Sequence, residues 1–338
     1  MNRAPGDRLP AAADTAGAAP GSAVRDFDVL VMGEILADLI VKGADPRPVF
    51  GQVERYVDSI NLVMGSSSVI FACGAARLGL RVAMTSLAGD DALGRFMLTS
   101  MTERGVDTTG IRVDAVHPTG ATVVFSAPGD RAMLTAPGTT PFVRAEDVPR
   151  ELVARARHLH AGATYVLDGA RSGLPELFRA ARAGGTTTSF DTNWDPTEQW
   201  EGGVRELLAE TDVFLPNDAE ATRIAREPDP EKAARALVAM GARTVAVKLG
   251  AEGALAVTAD GRSARCRALP IQPLETSGAG DSFDAGFISA WLAGRPLEAC
   301  LALGVACGSL STRGVGGTAA QPTLEEAEAA ARAAGILT

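Results

Sequence analysis

From about residue 145 onward, apolar runs short enough to be strands take turns with segments of helical period. Extended patterns fall at 158–162, 187–193, 213–216 and 244–249, and helical ones at 174–183, 204–209, 219–226 and 231–240. Alternation at this spacing predicts an α/β fold in which a parallel sheet is covered by helices on both faces. Upstream, Asp28-Val29-Leu30-Val31-Met32-Gly33 is an apolar run ended by glycine, as expected of a buried first strand. Ligands of such folds gather at the carboxyl ends of the strands. Three polar clusters fall at those ends, Asp191-Thr192-Asn193, Asn217-Asp218-Ala219-Glu220 and Lys248-Leu249-Gly250. Singly each reads as turn chemistry; their shared placement points to one site.

The first half of the chain is less regular. Residues 42–63 carry Pro46, Pro48 and Gly51 without helical period and read as short extended segments. Gly65-Ser66-Ser67-Ser68 is a small-residue turn opening a helix that Gly79 stops. A strand at 82–87 and a helix from Gly89-Asp90-Asp91 to about Arg104 follow. Residues 122–126 and 131–135, joined by Pro128-Gly129-Asp130, make a hairpin signal. With 42–63 they are expected to form a small separate sheet, its segments at about 40–63 and 118–136. Residues 1–25, rich in Ala, Pro and Gly, are expected to be a disordered tail ahead of a single domain, 26–338.

Composition excludes several function classes. A net charge of −9 and a pI near 5.0 argue against a nucleic-acid partner. No run of about 18 apolar residues announces a membrane span, and the tail lacks the apolar core of a signal peptide. Cys73, Cys266, Cys300 and Cys307 lie far from any CxxC spacing, which favours reduced thiols and a cytoplasmic location; the last two read as core filler. Neither GxxxxGK[ST] nor a strand-linked GxGxxG occurs. His117, His158 and His160 show no metal spacing, and packing or hydrogen bonding is expected of them.

The stretch from Glu275 to Phe287 carries the sharpest chemistry. Gly278, Ala279 and Gly280 would leave backbone N–H groups bare at a helix start, a site for an anion. Phe283, Phe287 and Trp291 would form the apolar stripe of that helix. Asp281 puts a carboxylate where an anion would be received. One reading makes it a base taking a proton from a hydroxyl while the turn neutralises a transferring phosphoryl group. The other makes it a helix cap.

Thr276-Ser277-Gly278-Ala279-Gly280-Asp281 is similar to the DTxGAGD signature of the ribokinase-like (phosphofructokinase B type) carbohydrate kinase family, and the resemblance runs from about Phe27 to the C-terminal helix. It implies a doubly wound, mostly parallel sheet with a small β lid. By it Asp281 would be the base and Gly278, Ala279 and Gly280 the anion hole. Asn217 and Glu220 resemble the family's NxxE, which implies that they place Mg2+ through water along with the nucleotide phosphates. Lys248, Gly250 and Gly253 look like the strand end that meets ATP. Asp38 would hold acceptor hydroxyls, and Gly65, Ser66, Ile70 and Leu36 would line the acceptor site.

The departures are specific. Glu275 stands where the signature has Asp, so a monovalent cation is in doubt. Ser66 replaces a glycine, and Ile70 and Leu36 replace amides. The expectation is an ATP-dependent enzyme phosphorylating an alcohol of a sugar or sugar-like molecule, with a homodimer through the lid as partner arrangement. A nucleoside kinase, or a silent sugar-binding or regulatory protein of the same fold, is the alternative.

Overall fold

The computed structural model describes residues 25–127 and 130–337. Its strands are β1 (Phe27–Met32), β2 (Leu36–Lys42), β3 (Ser59–Met64), β4 (Val82–Gly89), β5 (Val106–Asp114), β6 (Gly120–Ala127), β7 (Asp130–Ala136), β8 (Ala156–Ala161), β9 (Thr187–Phe190), β10 (Val213–Phe214), β11 (Thr244–Lys248), β12 (Ala254–Thr258) and β13 (Ser263–Cys266). Nine form one sheet in the order β13-β12-β11-β10-β9-β8-β1-β4-β5. Pairing is parallel from β11 to β5 and antiparallel at β11–β12 and β12–β13.

A parallel sheet buried on both faces asks for apolar residues of both parities, and β1 supplies them. Val29 and Val31 join the core on one face, while Leu30 and Met32 join the core on the other. Helices Ser67–Arg77, Ala279–Leu292 and Leu297–Ser311 cover the first face; Leu174–Ala183 and Pro230–Ala239 cover the second. The chain order reverses at β1, with β4 on one side and β8 on the other. A crevice therefore opens beyond the carboxyl ends of these strands.

The four remaining strands form a second sheet in the order β3-β2-β6-β7. It begins at Leu36, four residues before the expected 40, so Asp38 lies within a strand rather than in a connecting loop. Residues 128 and 129 of the expected hairpin turn lie outside the described residues, as do 1–24 of the expected tail. Arg25 is bound to the body, donating to Thr186 Oγ1 and to Gly184 O, each at 2.9 Å.

Two features escaped the sequence patterns. Strand β5 is polar along much of its length because it is the sheet's edge and only partly buried. The helix Ala279–Leu292 is not apolar along one stripe but buried from Ser282 to Ala290, since it runs between two other helices. Glycine permits that: a Cβ at Gly286 would come within 2.8 Å of Cys307 Sγ. The four cysteines are free and buried. His158 and His160 both reach Ser189 Oγ, at 2.6 and 2.8 Å, and His160 stacks on Phe71.

Candidate active site

The turn before Ala279–Leu292 has the geometry that an anion site needs. Gly278 is its N-cap at φ 72°, and a Cβ there would lie 2.7 Å from Gly317 Cα and 2.9 Å from Ile70 Cγ2. Only glycine meets both the left-handed backbone and the missing space. No side chain caps this helix. Among the described residues Ala279 N–H finds a backbone acceptor, Thr276 O at 3.3 Å, and the N–H groups of Gly278 and Gly280 find none. Those groups sit at the positive end of a fourteen-residue helix.

Asp281 is the third residue of that helix and not its cap, so the capping alternative fails. It is partly exposed, whereas the residues after it are buried. Burial of the carboxylate, with Asp191 and then Glu34 adding repulsion, raises it to about 7 against the opposing pull of Lys248 and Ser67. A base needs its proton affinity near the working pH. We expect kcat/KM to climb through about pH 7 and level off above it, because only the deprotonated Asp281 accepts a proton. A pH–rate profile flat between pH 5.5 and 8.5 contradicts this.

Beneath the turn lies a compact charge cluster. Carboxylate oxygens of Asp191, Asp281 and Asp284 approach within 4.8 Å of one another. Such a triad could hold a cation, and one is already supplied by the chain. Lys248, at the end of β11, places Nζ 2.8 and 3.1 Å from the two oxygens of Asp284, and 3.5 Å from where a Cβ on Gly280 would stand. Burial disfavours its charge, but Asp284, Asp191 and Glu220 together hold the ammonium above its ordinary range. The ammonium of the lysine expected at the nucleotide thus lies on the underside of the turn, paired with Asp284. Gly250 and Gly253 sit in the turn between β11 and β12. Gly253 is held by packing, since a Cβ would meet Cys266 O at 2.0 Å, while space around Gly250 is open.

Asn217 and Glu220 form a capping box on helix Asp218–Ala225. Asn217 N and Nδ2 donate to Glu220 at 2.9 and 2.7 Å, and Glu220 N donates to Asn217 Oδ1 at 2.8 Å. Glu220 is buried, which raises its proton affinity against the pull of Lys248. With each group holding the other, the pair fits a hydrated Mg2+ through water and not direct ligation.

Across the crevice, Asp38 faces inward from β2. Burial, then Glu275, raises its carboxyl to about 6, with Arg131 opposing and Glu34 adding. Gly65 exists for this side chain, since a Cβ there would lie 2.2 Å from Asp38 Oδ1. Ser66 adopts the glycine-like φ of 70°, and its hydroxyl is engaged on both sides, donating to Glu34 O at 2.7 Å and accepting from Val69 N at 3.1 Å. Those bonds offset the backbone strain, so Ser66 shapes the crevice and does not offer it a hydroxyl. Ile70 is buried under the turn, against Gly278 and Gly317, and Leu36 packs over Gly120 on the same face of β2 as Asp38.

Sequence patterns missed four participants. Glu34 stands two residues past the end of β1, is buried, and accepts from Ser68 Oγ at 2.6 Å. Asp284, one helical turn after Asp281, was a legible i, i+3 signal. Thr122 and Thr135 pair their hydroxyls at 3.0 Å in the same cross-strand row as Asp38, and no local pattern announced them.

The protein-family model for pfkB family carbohydrate kinases matches residues 26–324. The chain is 31% identical to a 2-dehydro-3-deoxygluconokinase of Thermoproteus tenax over 316 residues, 89% of this chain and 93% of that one. It also matches the structure of a PfkB protein from Polaromonas sp. JS666 with a TM-score of 0.76 and 28% identity, covering 89% of this chain and 98% of the other. A structure described as ribokinase II from E. coli, in complex with ATP and Mg2+, has the same fold at a TM-score of 0.81 and 23% identity, over 91% and 99% of the two chains. A turn stripped of side chains at a helix start, a carboxylate raised to about 7 beside it and a family match across nearly the whole chain agree, and this chain belongs to the pfkB family of carbohydrate kinases.

Proposed function

We propose that this carbohydrate kinase transfers the γ-phosphoryl group of ATP to a hydroxymethyl-type alcohol of a sparsely hydroxylated sugar. The observation that carries the reading is Asp281, raised to about 7 and standing beside bare N–H groups. Asp281 takes the proton of the acceptor hydroxyl. The N–H groups of Gly278 and Gly280 face the charge that develops as the phosphoryl moves. Asp38 and the Thr122–Thr135 pair hold other hydroxyls, while Leu36 presents a methyl surface where an amide would bind one. A sugar hydroxyl buried there without a partner loses about 1 to 3 kcal/mol, so ribose is expected to be a poor acceptor. Mg2+, placed through water by Asn217 and Glu220, neutralises phosphate charge when bound. The second sheet serves as a lid over the acceptor, and Gly250 leaves room for the nucleotide.

The test is ATP consumption with ribose, fructose, 2-keto-3-deoxygluconate, adenosine and inosine. Preference for ribose overturns the acceptor assignment. Binding without turnover by any acceptor favours a silent binding protein, and turnover confined to nucleosides favours a nucleoside kinase.

Potassium is expected to raise the rate less than twofold. Glu275 accepts from Ser277 N at 2.6 Å and from Gly316 N at 2.9 Å, so one carboxylate already ties the two loops together and needs no cation to bridge them. A several-fold rise when potassium replaces tetramethylammonium at equal ionic strength contradicts this.

We infer a homodimer from the lid's outer face, where Ile60, Leu62 and Leu134 stand exposed; light scattering at micromolar concentration checks it. Among the described residues no helix is long and apolar enough to cross a membrane, and a cytoplasmic location is part of the same reading.

A further inference from the structure

Residues 312–323, the irregular stretch between the helices Leu297–Ser311 and Leu324–Ala333, pass between the two sides of the crevice. On the phosphoryl side Gly316 N donates to Glu275 Oε2 at 2.9 Å, and a Cβ on Gly278 would meet Gly317 Cα at 2.7 Å. On the acceptor side a Cβ on Gly317 would meet Ile70 Cδ1 at 2.3 Å. Gln321 joins the two sides directly. Its Nε2 donates to Ile70 O at 2.8 Å and to Ser282 Oγ at 3.1 Å. Ile70 lies in the helix Ser67–Arg77, which starts from the Gly65-Ser66 turn beside Asp38. Ser282 follows Asp281, and its N–H donates to Gly278 O at 2.9 Å. One amide therefore spans from the helix behind the acceptor wall to the residue next to the proposed base.

Two observations show that this amide is built in. Gln321 is 6% exposed, and its Oε1 is buried with no partner among the described residues. An apolar side chain would carry no such unsatisfied oxygen, so packing alone does not call for glutamine. The orientation follows from the partners, because only the N–H end can face the Ile70 carbonyl. The helix Ser67–Arg77 also omits a side chain at this point: a Cβ on Gly74 would stand 2.8 Å from Gln321 Nε2 and 3.1 Å from Ala285 Cβ. Glycine inside a helix lowers stability relative to alanine. Stability is thus lost twice at one place, and that place sets the spacing of the two helices whose first turns flank the reaction.

We propose that Gln321 is a positioning residue: through Ile70 O and Ser282 Oγ it fixes the helix behind the acceptor wall against the helix of the anion site, and so keeps the acceptor hydroxyl in line with Asp281 and the N–H groups of Gly278 and Gly280. This rests on the kinase reading above and adds to it a residue that touches no reactant. The reacting atoms are held from opposite sides of the brace, so loosening it separates them without removing any contact to ATP. A displacement of about 1 Å between reacting groups can cost on the order of a hundredfold in rate.

The experiment measures kcat, KM for ATP and the urea midpoint of the wild type, Gln321→Leu, Ser282→Ala and the double variant, with the fastest of 2-keto-3-deoxygluconate, fructose, ribose and adenosine as acceptor. In Gln321→Leu kcat should fall roughly tenfold while KM for ATP and the urea midpoint stay close to the wild type's. Ser282→Ala should lose less, about threefold, and the double variant should be no slower than Gln321→Leu, since both changes cut the same brace. A folded Gln321→Leu keeping more than half of the wild-type kcat overturns the proposal. So does a rate loss that merely tracks the fraction of unfolded protein, or losses that multiply in the double variant. If the wild type consumes ATP with none of the four acceptors, the kinase reading fails first. Hydrogen exchange at the amides of Ser282 and Phe283 then decides the brace alone: exchange faster by roughly tenfold in Gln321→Leu supports it, and unchanged exchange overturns it.

Discussion

Asp281→Asn is expected to lower kcat by about a thousandfold or more while leaving the fold and the affinity for ATP nearly intact. The amide has the carboxylate's shape but cannot accept the proton. It also removes one negative charge from a cluster that holds Asp191, Glu34 and Asp284, so the variant should be no less stable than the wild type. The residual rate should no longer rise near pH 7. A folded variant keeping more than a tenth of wild-type turnover excludes Asp281 as the base.

The second large effect concerns the buried pair under the turn. Lys248 has 14% of its side chain exposed and Asp284 has 1%. Removing one partner of such a pair leaves the other charged in a poor solvent, at about 3 to 5 kcal/mol. The two removals are not equivalent, because Lys248 also faces Asp191 and Glu220. Lys248→Met strands three acids and should lie at the upper end. Asp284→Leu leaves the ammonium with two acids and should lose less. The double variant should be more stable than Lys248→Met alone.

The pH dependence has a definite sign. Burial raises Asp284, Asp191 and Glu220 above their unfolded values, so the folded chain holds protons that the unfolded chain releases. In Lys248→Met, where the opposing cation is gone, the contribution of these acids is fully present below the unfolded carboxylate range and lost as pH rises. That variant should therefore be more stable at pH 5 than at pH 8. Urea midpoints at the two values measure both effects. Equal losses for the single variants, or a Lys248→Met more stable at pH 8, would sink this account of the cluster.

Much of the architecture was legible because parallel strands and their covering helices write their periods into the chain. The expected helices at 174–183 and 204–209 coincide with Leu174–Ala183 and Val204–Ala209. The buried parts of β1 and β11, Val29 to Met32 and Val245 to Val247, are continuous apolar runs, and a run of that kind has few other places to go. The turn at Gly278 was legible for the same local reason, since a backbone with no side chains at a helix start advertises itself. Asp281 could be named as base or cap but not assigned, because the choice depends on what surrounds the carboxylate.

Tertiary structure alone supplies what surrounds that carboxylate. Asp191, Glu34 and Lys248 come from the ends of β9, β1 and β11, and no window of sequence contains any two of them. Their proximity sets the proton affinity of Asp281, and proton affinity is a property of through-space charge and burial, not of neighbours along the chain. The same holds for Lys248, whose ammonium meets Asp284, 36 residues further along the chain, at 2.8 Å. The inner face of the second sheet, too, is a cross-strand arrangement, with Lys42, Ser126 and Arg131 made neighbours by pairing register. Local periodicity fixes which elements form, because it is set by backbone geometry over a few residues; the site's charges and the acceptor's walls are set by distances that only folding creates.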